Sequence, residues 1–247
     1  MSLNPLNFVL LKNSKFKLSK RKLFIAGTVF GLGLQIQKPL SPRQEAIVLG
    51  NILGDGHLQL SPNQKTTRLR FTHSMKQADY VKWQYTELDW LCNGVAEPKE
   101  IIEKNKYSLC RAYTAYRSEL TPYHSLTYKT TKQSNRKFIK VLHENLGDYL
   151  KNPESLMIWY LDDGTLRLDG GACRLATQSF TLSEHEILQE TLWNNFHVKT
   201  VIERWSKSNP SLYVPAREGH AKNFVSLFSG TVLKEIPSMK YKIQKYI

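Results

Sequence analysis

Apolar residues in EAIVLGNIL, residues 45–53, recur at helical spacing and run into Asp55-Gly56. HLQLS then alternates with period two, a Pro-Asn turn follows, and TTRLRFTHS alternates again, so the two read as paired strands. KQADYVKWQYTELDWL returns to helical spacing, and the strand-like runs IIEK and YSLCRAYTAYR precede a helical pattern near Leu120–Tyr128. A second passage repeats this order. ESLMIWYLDDGTLRL, residues 154–168, is an apolar run ending in Asp163-Gly164. TLRLD, a Gly-Gly turn, strand-like ACRLATQS and helical LSEHEILQETLWNNF come next, then KTVIERW, SLYVP and a helical pattern near His220–Phe228. The order α-β-β-α-β-β-α, twice, predicts an α+β fold of two pseudo-twofold halves. The expected boundaries are a leader outside the core fold at 1–40, a first half at 41–128, a linker at 129–140 and a second half at 141–247.

Length and composition agree with this picture. A chain of 247 residues allows one large domain or two small ones. A hydrophobic fraction of 41% supports a buried core and excludes disorder as the overall state. The three cysteines, Cys92, Cys110 and Cys173, are odd in number and far apart, which supports neither a disulfide framework nor a cysteine zinc site and fits a reducing compartment. The longest apolar run, Leu23–Leu34, covers twelve residues, short of the ~20 a membrane span needs, so no membrane partner is expected.

The formal charge of +14 is unevenly placed. Eight Lys or Arg precede the residue 45 boundary and no acid does; the stretch 45–140 carries +6, and the remainder is neutral. The basic leader reads equally as an organellar transit peptide, an arm on phosphate, or sequence without a folded role. The linker KTTKQSNRKFIK holds five basic residues, has a polar middle without apolar period, and is expected to be a loop near phosphate.

Gly50 and Gly54 lie four apart on one helical face, where each lowers helix stability by about 1 kcal/mol relative to alanine. Close approach of another backbone offsets that cost. The natural partner is the second apolar helix, whose matching positions are Ile158 and Asp162, so only one side of the crossing is small. Asp55 and Asp163 would then emerge side by side at two helix C-termini, where the helix dipoles oppose them. Two converging carboxylates repel unless a cation lies between them, and magnesium with oxygen ligands is the natural candidate. One Asp-Gly alone would read as a turn after a helix; two in matched context favour a paired site.

VLGNILGDG and LMIWYLDDG resemble the two signature motifs of the LAGLIDADG homing endonucleases, in the single-chain form with both copies in one polypeptide. LDDGTLR, ATQSFTLSE and the terminal SMKYKI extend the likeness from about residue 45 to the C-terminus. The resemblance implies antiparallel sheets forming a saddle over a long double-stranded DNA site, with the motif helices as the central interface. It implies that Asp55 and Asp163 bind metal, helped by the backbone carbonyls of Gly54 and Asp162. It also implies about two or three Mg2+ ions shared between the two active sites, cutting one phosphodiester per strand and leaving short 3′ overhangs. By the same resemblance Lys137 and Lys242 are the basic residues that stabilise the pentavalent phosphorus. His73 and Gln178 occupy the polar position after the second strand of each half. His73 departs from the more usual glutamine and shares the core face with Leu69 and Phe71, so a structural role stays open beside a catalytic one.

Strand alternation puts Arg68, Arg70 and Thr72 on one face and Gln59, with His57 and Ser61, on the polar face of the neighbouring strand. Such a donor-rich ribbon suits the major groove. Arg111, Arg117, Arg167, Arg174 and Arg204 are further DNA-binding candidates. The expected function is a monomeric, magnesium-dependent, site-specific double-strand DNA endonuclease that promotes intron mobility, working in an organelle. The rivals are an RNA maturase whose partner is intron RNA and a non-catalytic DNA-binding protein on the same scaffold. Nucleases of the HNH and GIY-YIG kinds are disfavoured, since none of the seven histidines lies in a His-Asn-His context and no GIY-YIG string occurs.

Overall fold

Ser41 and Pro42 start the first helix. The Ser41 hydroxyl accepts from the Gln44 amide at 3.2 Å, and the Gln44 side chain accepts from the Ser41 amide at 3.1 Å. This reciprocal cap satisfies two of the amides that a helix start leaves open, and proline there loses no bond. In the computed structural model, which describes residues 38–102, 107–131, 138–204 and 210–247, the helix is α1 (Pro42–Leu53). β1 (His57–Leu60), β2 (Thr67–Ser74), α2 (Ala78–Glu87), β3 (Lys99–Ile102), β4 (Ser108–Tyr113) and α3 (Thr121–Thr127) follow. A hairpin of β5 (Tyr128–Thr130) and β6 (Phe138–Lys140) and the short α4 (Leu146–Tyr149) lead to the second half. There Asn152 caps α5 (Pro153–Asp163) by accepting from the Glu154 amide at 3.0 Å. β7 (Gly164–Leu166), β8 (Cys173–Leu175), α6 (Leu182–Phe196), β9 (Val201–Glu203), β10 (Ser211–Val214), α7 (His220–Ser226) and α8 (Ser229–Glu235) complete it, before a 3-10 segment over Pro237–Lys242. The basic leader through residue 37, with its apolar run, lies outside the described residues, as does the polar middle of the linker, 132–137.

The duplicated α-β-β-α-β-β-α order is present. The two antiparallel sheets have the same strand order, β1-β2-β4-β3 and β7-β8-β10-β9. In the first, Leu58, Leu69, Phe71 and Ala112 face the core, while Arg68, Arg70 and Thr72 alternate onto the other side. Two local departures have clear causes. The linker is not a loop throughout, because its ends pair as β5 and β6, with Tyr128 opposite Lys140. His124 holds that hairpin down, stacking on Tyr128 at 4.7 Å and meeting Phe138 edge-on at 5.0 Å. β8 ends early because the Thr177 hydroxyl accepts from the Leu212 amide at 3.0 Å and lies 2.8 Å from His185 Nε2, which turns the chain out of the ladder.

α1 and α5 pack against each other at the centre. Residues 46–53 of α1 and 155–161 of α5 are all buried. A helix that is apolar all round belongs inside. Arg43, in the first turn of α1, draws together α2, α5 and α8: it lies 2.9 Å from Glu87 and 3.5 Å from Glu154, and also pairs with Glu235.

The predicted close crossing is present at the two glycines of α1. A Cβ on Gly50 would lie 2.5 Å from Ile158 Cβ and 2.7 Å from the Ser155 carbonyl; one on Gly54 would lie 2.5 Å from an Asp162 carboxylate oxygen. Gly50→Ala is therefore expected to destabilise by about 1–3 kcal/mol despite alanine's better helix propensity. Thermal unfolding should read this as a drop in Tm of several degrees. An unchanged or raised Tm would mean that the helices do not meet there.

Candidate active site

The crossing sets the site. Both motif helices end at the same place, so Asp55 follows the α1 cap and Asp163 closes α5. Asp55 is exposed and Asp163 half-buried. Burial pushes the Asp163 carboxyl up to about 7, with Asp55 and then Asp162 adding to the rise and Lys140 and Lys242 opposing it. Asp163 therefore shares one field with a second acid at each motif end, the juxtaposition anticipated for a paired site.

Two lysines reach the same spot from the ends of their halves. Lys140 Nζ donates to the Gly54 carbonyl at 2.8 Å. Lys242 Nζ donates to the carbonyls of Asp162 at 3.1 Å and Gly164 at 3.0 Å. Burial lowers the pKa of each ammonium, and Asp163, Asp162 and Asp55 work against that lowering. The arrangement is quasi-symmetric, one lysine on each motif's cap carbonyl. Lys137, the lysine singled out from the sequence, lies outside the described residues, and Lys140 holds the position facing the first motif. A sequence signal for it exists in the period-two stretch Phe138-Ile139-Lys140, which places Lys140 with Phe138, packed on the core, and away from exposed Ile139.

The Asp162 side chain is fully enclosed. It accepts from the Asp55 amide at 3.2 Å and the Tyr80 hydroxyl at 2.9 Å, and His73 Nε2 lies 3.2 Å away. His73 is buried on the core face of β2, its ring 4.9 Å from that of Tyr80. Burial pulls its pKa down, but Asp162 and Asp55 outweigh this and leave it raised. Burial drives the Tyr80 hydroxyl well above its ordinary value, and Asp162 adds to this. His73 thus meets the site through the Asp162 side chain. Gln178 is exposed in the turn after β8.

The oxygen donors gathered here are the Asp55 and Asp163 carboxylates and the carbonyls of Gly54 and Asp162, which also accept from Lys140 and Lys242, all hard oxygen. Among the described residues no three His, Cys, Asp or Glu side chains form a self-sufficient metal cage. That donor set suits magnesium, which uses one or two carboxylates and completes its shell with water and substrate phosphate. The lifted Asp163 carboxyl is an acid short of positive charge, and a bound cation would relieve it. Asp55, Asp163 and the carbonyls of Gly54 and Asp162 fit such an ion.

Beside Lys140 opens a cleft of about 1110 Å³ whose lining includes His57, Arg70, Lys129 and, from the second half, Ser179 and Thr181. On the polar face of the first sheet, Arg68 donates through Nε and Nη2 to Gln59 Oε1 at 3.0 and 2.9 Å. Its guanidinium also lies 4.6 Å from the Tyr113 ring and 4.8 Å from that of Tyr116, two aromatics that sequence reasoning missed. Arg111 Nε donates to Thr72 at 3.0 Å. In the second half Arg174 pairs with Glu203 at 2.8 Å, Arg167 pairs with exposed Asp169 at 2.8 Å, and Arg204 is exposed just past β9. Arg117 is directed elsewhere, with Nη2 donating to the carbonyls of Trp90 at 2.9 Å and Asn93 at 3.2 Å, so it braces the turn after α2. No helix among the described residues is long and apolar enough to cross a membrane.

The sequence profile of the LAGLIDADG DNA endonuclease family matches residues 45–221. The cytochrome b mRNA maturase bI2 of Saccharomyces cerevisiae is 26% identical over 214 residues, 85% of this chain and 49% of that protein, so the chain spans about half the length of this relative. DNA endonuclease I-ChuI of Chlamydomonas applanata is 26% identical over 172 residues, 67% of this chain and 78% of that one. The solved structure of the homing endonuclease I-WcaI bound to its DNA recognition sequence shares the fold, with a TM-score of 0.67 and 24% identity over 86% of this chain and 95% of that chain.

Proposed function

The chain belongs to the LAGLIDADG DNA endonuclease family, and on that premise we propose that it is a monomeric, magnesium-dependent, site-specific endonuclease that cuts both strands of a long DNA site and promotes intron mobility. The observation that carries this reading is the pair of acids at the crossed helix ends, each with a lysine seated on the neighbouring cap carbonyl. A DNA-binding protein without catalysis has no need to hold this acid cluster together against its own repulsion.

In this reading the polar sheet faces lie on the DNA, with Arg68, Arg70, Thr72, Gln59 and Arg111 on the first half-site and Arg167, Arg174 and Arg204 on the second. Asp55 and Asp163 each orient the reacting water and phosphate of one strand, and Lys140 and Lys242 face the charge that grows on the phosphoryl oxygens. Magnesium held by Asp55 and Asp163 with the Gly54 and Asp162 carbonyls would supply an activated water and a counter-charge to the leaving oxygen. Asp163 must be a carboxylate to take part, so magnesium affinity rises with pH through about 7. The boundaries 41–128, 129–140 and 141–247 follow the two halves, with the leader 1–40 outside the cutting fold. The match to a cytochrome b mRNA maturase favours an organellar source.

A second reading, an RNA maturase that assists splicing of its own intron, is favoured by the yeast maturase matching 85% of the chain. Incubating the protein with an intronless copy of its host gene on a plasmid separates the two. Linearisation that needs magnesium supports the endonuclease. An uncut plasmid under any divalent ion, with accelerated splicing of the intron precursor, would overturn it in favour of the maturase.

A further inference from the structure

The two halves of the site are not equivalent, and the difference is the Asp162 side chain. Its motif partner position on α1 is Gly54, which has no side chain, and the missing Cβ leaves the space that the Asp162 carboxylate fills. That carboxylate points across the helix interface. One oxygen accepts the Asp55 amide, and the other meets Tyr80 Oη and His73 Nε2 from the first half. Fully enclosed, accepting from the Asp55 amide and the Tyr80 hydroxyl and with His73 Nε2 at 3.2 Å, the side chain is not available as a metal ligand.

We propose that Asp162 is a positioning residue: its carboxylate latches the backbone of Asp55 across the interface, so that one of the two cutting centres is fixed by an acid from the other half, with no reciprocal latch on Asp163. This rests on the endonuclease reading for its consequence in cleavage, though not for the latch itself. The Asp55 amide lies directly after the Gly54 carbonyl that Lys140 grips. Latch and lysine together therefore fix both sides of that peptide unit, and with it the direction in which the Asp55 side chain leaves the helix. Tyr80 and His73 keep the carboxylate from turning toward solvent. A buried charged acceptor with such partners is expensive to disrupt, so the latch is stiff.

The test uses the full chain in two arms. In the first, amide hydrogen exchange is followed by NMR without metal. Asp162→Ala should speed exchange at the Asp55 amide by ~10-fold relative to the Gly54 amide, whose partner is the Gly50 carbonyl, and Asp162→Asn, which keeps one acceptor, should fall between. In the second, single-turnover cleavage of end-labelled target DNA is followed strand by strand. Asp162→Ala should slow the break that Asp55→Asn removes by ~10²-fold and leave the other within about threefold, with partial rescue by asparagine. Equal slowing of both breaks, or no slowing of either, overturns the latch while the endonuclease reading stands. If the unsubstituted chain cuts no DNA, that reading fails instead, and unchanged Asp55 exchange in Asp162→Ala overturns the latch on its own. Should Asp162→Ala not fold, Tyr80→Phe replaces it: loss of one donor should give a smaller exchange increase at Asp55, and none contradicts the latch.

Discussion

Asp163→Asn is expected to make the metal-free protein more stable and to destroy its ability to cut. In the folded chain burial and two neighbouring acids lift the Asp163 carboxyl to about 7 from an ordinary value near 3.8. Above pH 7 the folded state carries the full cost of that charge. As pH falls through 7 the folded state takes up a proton that the unfolded chain does not, so stability from this group rises until the ordinary carboxylate range, below which it is constant. The metal-free protein should accordingly melt higher at pH 5.5 than at pH 8 as far as this residue decides, and asparagine should remove the difference. At pH 8 the substitution should add about 1–2 kcal/mol, a few degrees in Tm, measured by thermal unfolding in chelator. Cleavage of at least one strand should fall by about 10³-fold, because a neutral amide neither holds a hard cation nor orients the attacking water. Melting that is lower in Asp163→Asn than in the original chain would show that the acid is held by favourable contacts instead of against repulsion.

Lys140→Ala should slow one strand break by about 10²-fold while leaving DNA binding close to unchanged. The ammonium is inside the site, 2.8 Å from the Gly54 carbonyl, and not on the polar sheet face proposed to meet the duplex. Its removal also deletes one of the two charges that oppose the rise at Asp163, so the pH at which metal affinity climbs should move higher in this variant. Strand-resolved single-turnover rates together with magnesium titrations at several pH values read both effects. Wild-type rates on both strands would remove Lys140 from the chemistry and return the choice to Lys137.

These two residues mark how far the sequence carries. The duplicated order, the glycine face and the place of Asp55 and Asp163 were legible because each rests on local spacing. A period of 3.6 or 2, broken by Asp-Gly, sets an element and its end whatever surrounds it. Gly50 against Ile158 followed from counting along two helices. The inward turn of Lys140 did not, because it depends on which side of a three-residue strand faces the core, and Phe138 decides that only through its contact with His124. His73 stayed open for a similar reason. Its alternation correctly placed it inward, but the partner that makes it useful, Asp162, belongs to the other half of the chain. The arginines were the least legible. Arg68 and Arg117 look alike in sequence, yet one lies on the polar face between two tyrosines and the other spends its donors on backbone carbonyls.

Two acids at one helix crossing are proposed to serve two strands. Mapping both breaks on end-labelled target DNA with magnesium, for the original chain, Asp55→Asn and Asp163→Asn, tests this most directly. The original chain should give one break per strand with short 3′ overhangs and no break without metal, and each variant should lose at least one break. Either variant keeping both breaks at the original rate would contradict it.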